Sequence, residues 1–195
     1  MINVPLLGCC PYLRSQNPTG ECIEPLNQLA KRLNGEIRDL FRDLSSEMQG
    51  MKYSIASSYE LISSLIENPQ AAGKLPQFKQ RVIWPGTHTS NIVTVLLSMN
   101  WIVTVYFSAI SEISQTCWLI SGFVEVKSAC CGGGGKFNAE EACTPSSSCC
   151  ADRSRYLFWD LLHPTQATSK IVGLAFYDGA ARFVSPITFK QLADA

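Results

Sequence analysis

Two groups of residues in this chain have the types and spacing to do chemistry. The first is Asp160 and His163, three positions apart in "YLFWDLLHPT". A carboxylate that accepts one ring N–H of a histidine fixes its tautomer and stabilises the imidazolium. The other ring nitrogen is then free to take a proton from a hydroxyl. One turn of chain is enough to bring a short carboxylate beside the ring. Alone, D-x-x-H is a weak signal, because most such pairs are solvated or structural. The flanking Phe158, Trp159, Pro164 and Thr165 sharpen it. A nucleophile for such a base is not evident. Ser57, Ser58, Ser63 and Ser64 fall on or beside a predicted helix, without the strand-to-helix elbow that presents a catalytic serine.

The second group is the nine cysteines: Cys9, Cys10, Cys22, Cys117, Cys130, Cys131, Cys143, Cys149 and Cys150. So many in 195 residues point to an oxidising compartment and a disulfide framework. A zinc site built on Cys130, Cys131, Cys143, Cys149 and Cys150 is the competing reading. Only two histidines are present, and no C-x-x-C pairs at finger or ribbon spacing, so no metal or other cofactor is expected.

The elements that must position these groups are legible in outline. Sixteen basic residues balance sixteen acidic ones, so no charge excess points to nucleic acid. "INVPLLG" reads as the end of a buried strand running into a turn. Leu26, Leu29, Ala30, Leu33, Ile37, Leu40, Phe41 and Leu44 recur at helical spacing, with Pro25 suited to a first turn. "KYSIA" alternates like a strand, and "SSYELISSLIEN" reads as a second helix ending near Asn68-Pro69. This strand and helix alternation indicates α/β organisation.

The character then changes. Residues 82–111 contain no Asp, Glu, Lys or Arg. The stretch 91–110 is long enough to span a bilayer as a helix, which leaves membrane contact open, although its Val, Ile, Thr, Trp and Tyr content fits a membrane helix poorly. After it, "FVEV" reads as a strand and Cys130–Cys150 as a Gly- and Ser-rich loop. A helix follows the histidine, with Ile171, Leu174 and Ala175 on one face. The first residues, "MINVPLLGCCPY", have no basic n-region or long apolar h-region. The chain is therefore expected to carry no signal peptide of its own and to begin inside a domain.

Several islands together resemble the plant GDSL-type esterase/lipase family of SGNH hydrolases: "VPLLGCCPYLR", "GECIEPLNQLAKRLNGEI", "SLIENPQAAG", "SACCGGG", the spaced Cys143 and Cys150, and "YLFWDLLHPTQAT". The likeness covers residues 2–73 and 123 to about 192. It implies the C-terminal part of a three-layer, flavodoxin-like α/β fold with an incomplete parallel sheet. It also implies hydrolysis of carboxylic esters, with an acyl-ester or lipid substrate, and an extracellular location. His163 would be the general base and Asp160 its partner. Gln166 stands where the family usually has glutamate. The Gly-Asp-Ser and Gly-x-Asn-Asp blocks that carry the family's nucleophile and oxyanion donors do not occur, so the serine is expected upstream of Met1 and this form is expected to be inactive alone. Cys9 and Cys22 should be bridged, with at least one further bridge within Cys130–Cys150.

The resemblance breaks at 74–122, flanked by 1–73 and 123–195. Removing this segment joins "NPQAAG" to "FVEVKSACCG" without a gap in the family pattern. Its ends can be encoded with splice-site-like bases, so it reads as a translated retained intron. Its apolar surface would then favour self-association. The alternative is a non-catalytic protein anchored by 91–110, or one interacting through the cysteine-rich loop.

Overall fold

The computed structural model describes residues 1–74 and 122–195. The apolar stretch 91–110, Cys117 and all of the 74–122 segment except its two end residues lie outside the described residues. The described elements run α1 (Pro11–Gln16), α2 (Glu24–Glu47), β1 (Ser54–Ala56), α3 (Ser58–Glu67), β2 (Glu125–Ala129), β3 (Cys131–Gly132), β4 (Ser148–Cys149), β5 (Tyr156–Phe158), α4 (Gln166–Asp178), β6 (Val184–Pro186) and α5 (Phe189–Ala193). Their class is mixed α/β, with helices around small two-stranded sheets.

β1 is buried at every position and pairs antiparallel with β6, while Ile2 forms a parallel bridge to Ala56. β2 and β5 pair in parallel, and β3 and β4 antiparallel. The start of the chain thus enters as a single parallel bridge before a 3-10 turn at Leu7–Cys9. The cysteine-rich loop, too rich in Gly and Ser to be expected to hold regular structure, contains the short β3–β4 pair.

Local chemistry explains where the helices begin. Ser57 accepts from Glu60 N at the start of α3, and Thr165 accepts from Thr168 N at the start of α4. Thr188 and Gln191 close a capping box on α5. Each satisfies amide donors that a helix start leaves unpaired. α3 buries Leu61 and Leu65, one turn apart, and α4 buries Ile171, Ala175 and Phe176. These meet Leu157, Phe158, Phe123 and Phe183 in one apolar core. Leu174, predicted on the same face as Ile171 and Ala175, is instead 45% exposed.

α2 departs further from its sequence pattern. The residues it buries are Asn27, Ala30 and Asn34. Leu26, Leu29, Leu33 and Leu40 are exposed. At about 100° per residue the leucine row lies roughly a quarter-turn from the asparagine row. The asparagine row packs because it hydrogen-bonds. Asn34 Oδ1 accepts from Val4 N at 2.9 Å while its Nδ2 donates to Val4 O at 2.8 Å. Asn27 Oδ1 accepts from Gly8 N at 2.8 Å. Gly8 permits this approach, since a Cβ there would lie 2.7 Å from Asn27 Oδ1.

Candidate functional site

The Asp160–His163 turn follows β5 and is clamped through its backbone. Cys130 N and Cys131 N donate to Phe158 O and Trp159 O at 3.1 and 2.7 Å. Trp159 N donates to His163 O at 2.8 Å, and Phe158 bridges antiparallel to Pro164. Beyond the turn, Thr165 Oγ1 donates to Tyr156 O at 2.8 Å and Thr168 Oγ1 to Leu157 O at 2.8 Å. Both threonine side chains are fully buried. From the N-terminal side, Tyr12 N on α1 donates to Leu161 O at 3.1 Å. The guanidinium of Arg153 lies 4.9 Å over the Trp159 ring, a cation–π distance.

Within this frame Asp160 organises the turn and the ring together. Its Oδ1 accepts from Leu162 N at 3.0 Å and His163 N at 2.8 Å. His163 Nδ1 lies 3.0 Å from both carboxylate oxygens. Burial pushes the Asp160 carboxyl up, but the two backbone amides, the ring hydrogen bond and the imidazole's charge outweigh it. Its pKa falls below the ordinary aspartate value. The Asp160 side chain is 22% exposed and that of His163 61%. The pair is therefore anchored on its carboxylate side and open on its imidazole side. With Nδ1 turned to the carboxylate, Nε2 is the nitrogen left for a reacting group.

The serines considered as nucleophiles are engaged elsewhere. Ser57 Oγ receives Asn3 Nδ2 and Glu60 N, and Ser58 Oγ donates to Asn3 O. Ser63 donates to Glu67 and Ser64 to Leu61 O. Among the described residues, no hydroxyl is hydrogen-bonded to His163.

The candidate disulfide cysteines come together in pairs. Cys9 bonds Cys22, Cys130 bonds Cys150 and Cys131 bonds Cys143, with Cα separations of 4.4, 4.8 and 5.3 Å. Four of the five cysteines weighed for zinc thus have their sulfurs in disulfides. Among the described residues, Cys10 and Cys149 are the free thiols. Cys10 is buried beside the turn, its Sγ 4.0 Å from Leu162 O. Burial pushes its thiol up to about 11, with Arg14 pulling against that and Asp160 adding to it. Such a thiol stays protonated and inert.

Several residues that position the turn carry no catalytic signal in the sequence. Arg14 is only 2% exposed. It donates from Nε to Cys9 O at 3.0 Å and from Nη1 to Gly20 O at 3.2 Å, bracing the loop that the Cys9–Cys22 bond closes. That loop carries Tyr12, and so the contact to Leu161. Thr165 was legible only as a neighbour of the D-x-x-H pair, and Thr168 carried no signal of its own.

No family model matches the chain. Curated plant proteins do match it. A GDSL esterase/lipase of Arabidopsis thaliana, At2g23540, is 25% identical over 98% of this chain and 38% of its own length. Another from the same plant, At5g55050, is 29% identical over 98% of the chain and 39% of its length. A third, At4g28780, is 37% identical over a shorter stretch, 36% of the chain. Along nearly its whole length, then, the chain is similar to plant GDSL esterases/lipases, and it spans about two-fifths of the length of the first two of these relatives.

Proposed function

We propose that this chain carries the base half of a serine ester-hydrolase site, with His163 as general base and Asp160 as its orienting carboxylate. The observation that carries the reading is the Asp160–His163 geometry: Nδ1 3.0 Å from both carboxylate oxygens in a clamped turn, with an exposed ring. In such a site Nε2 takes the proton of a serine hydroxyl as it attacks the ester carbonyl, then returns it to the leaving alkoxide. Asp160 holds the tautomer and stabilises the intervening imidazolium.

The serine and oxyanion donors are assigned to the part of the relatives' length that this chain does not span. The fold is read as the C-terminal portion of a three-layer α/β hydrolase with an incomplete parallel sheet. An acyl-ester or lipid substrate and a secreted location go with that reading, and the three disulfides fit an oxidising compartment.

The 74–122 segment is proposed to be a translated intron. Supporting this, Phe123 N donates to Pro69 O at 2.9 Å and Gln70 Nε2 to Phe123 O at 3.2 Å. The chain before and after the segment is thus knit together within one core. Sequencing gene and transcript tests it: coding DNA lacking splice-site bases at these edges would refute it.

The functional test is to co-express the chain with the complementary portion of the At2g23540 esterase/lipase and assay p-nitrophenyl butyrate. The chain alone should not exceed background. The co-purified pair should turn over substrate, with His163→Ala abolishing this and Asp160→Asn lowering it by orders of magnitude. Turnover indifferent to His163→Ala, or none from a pair that co-purifies, would overturn the assignment.

A further inference from the structure

The cysteine-rich loop holds a thiol that ester hydrolysis does not use. In the β3–β4 pair Cys131 stands opposite Cys149 and Gly132 opposite Ser148. Cys150 N donates to Cys130 O at 2.7 Å, so Cys131 and Cys149 occupy the adjacent non-hydrogen-bonded position. Opposed residues at such a position have Cα atoms about 4.5 Å apart and side chains on one face. That spacing lies within the span a disulfide bridges. Strand alternation turns Cys130 and Cys150 to the opposite face, where they are bonded to each other. Cys131 is bonded to Cys143, while its strand partner Cys149 is an exposed free thiol. A thiol and a disulfide therefore share one face of one two-stranded pair.

We infer that Cys149 and the Cys131–Cys143 bond form an intramolecular exchange pair. The Cys149 thiolate attacks Cys131 Sγ, a Cys149–Cys131 bond forms, and the Cys131–Cys143 bond breaks with its electron pair leaving on Cys143. The proton lost by Cys149 is matched by one taken up at Cys143. The number of disulfides is unchanged, and no oxidant or reductant is consumed. The other bridge in the loop is poorly placed for attack, because Cys150 is the adjacent residue and Cys130 faces away.

The two states hold different things. The Cys131–Cys143 bond pins the loop that carries Lys136 and Phe137. Lys136 Nζ donates to Asn17 O and Pro18 O at 2.6 and 3.0 Å, docking that loop on the turn before α2. A Cys131–Cys149 bond instead staples β3 to β4 and leaves the loop between them without its covalent tie, held by hydrogen bonds such as Gly133 N to Glu141 O and Asn138 Nδ2 to Ala129 O. The exchange is a switch that tightens or releases the Lys136 contact, and it does not depend on the esterase reading.

The test uses the full oxidised chain, purified at pH 4, shifted to pH 8 for increasing times and re-acidified. Thiols are then labelled with N-ethylmaleimide at pH 6 and located by tandem mass spectrometry without reduction. Label should move from Cys149 to Cys143 as a Cys131–Cys149 link appears, reaching at least about a tenth of the molecules. Proteolysis between Gly133 and Ser147 should rise several-fold in the same samples. In Cys149→Ser, or in wild type alkylated before the pH shift, the original pairing should persist. Wild type that keeps its label on Cys149 at all times, or that links Cys149 to Cys117, overturns the proposal. Exchange without any change in proteolysis overturns its role as a switch.

Discussion

α4 and α2, the two longest described helices, are held in opposite ways. α4 is seated by apolar side chains, with Ile171, Ala175 and Phe176 in the core and its first turn fixed by two buried threonine hydroxyls. α2 is nearly twice as long, yet it is tied by asparagine amides to residues 4 and 8 and turns its leucines outward. The difference teaches that an apolar stripe identifies a helix without identifying the face that packs. A neighbour that offers backbone N–H and C=O groups, as the extended segment at Val4 does, is better met by an amide than by a methyl group.

The sharpest way to break this contrast is in the core. Phe176→Ala removes a 2% exposed ring that packs edge-on against Phe189 at 6.2 Å. Urea denaturation should report a loss of about 3–5 kcal/mol. Asn34→Ala comes next. It strands both polar groups of Val4, and denaturation should show a loss of about 2 kcal/mol. A value near zero would mean that α2 is held by something other than its amides.

Asp160→Asn should cost about 1 kcal/mol through weakened hydrogen bonds in the turn, and its signature is in pH. Because the folded pKa lies below the ordinary value near 4, the charged carboxylate stabilises the fold fully above that value. The contribution is lost as pH falls through the lower, folded pKa. The variant should therefore show a shallower loss of stability below about pH 4 than the parent, and equal slopes would contradict the depressed pKa. Leu33→Ala should be smallest, within about 0.5 kcal/mol, since its side chain is already exposed. A loss above about 2 kcal/mol would show that the leucine row is covered.

Much of the candidate site could be read from the residues. The D-x-x-H pair, its Trp159 and Thr165 neighbours and the clustered cysteines are local patterns, although which of Cys130 to Cys150 pair was not among them. A three-residue turn needs only local hydrogen bonds to bring Asp160 Oδ1 to His163 N and Nδ1. The clamps were not legible. Tyr12 meets Leu161 across about 150 residues of chain, and it does so through backbone groups that residue type does not record. Arg14 carried no signal of its own in the sequence, because nothing in its neighbours shows that Cys9 O and Gly20 O will converge on it.

By itself, then, the sequence determined the presence of α2, α3 and the helix after the histidine, the D-x-x-H motif and the likeness to the GDSL esterases/lipases. All of these depend on residue type and short spacing, which the chain carries wherever it folds. Only the tertiary structure decided which face of α2 packs, that Cys149 faces a bonded Cys131, and that Phe123 returns to Pro69. Those outcomes depend on which backbone groups a distant segment leaves unpaired, and no local pattern records that.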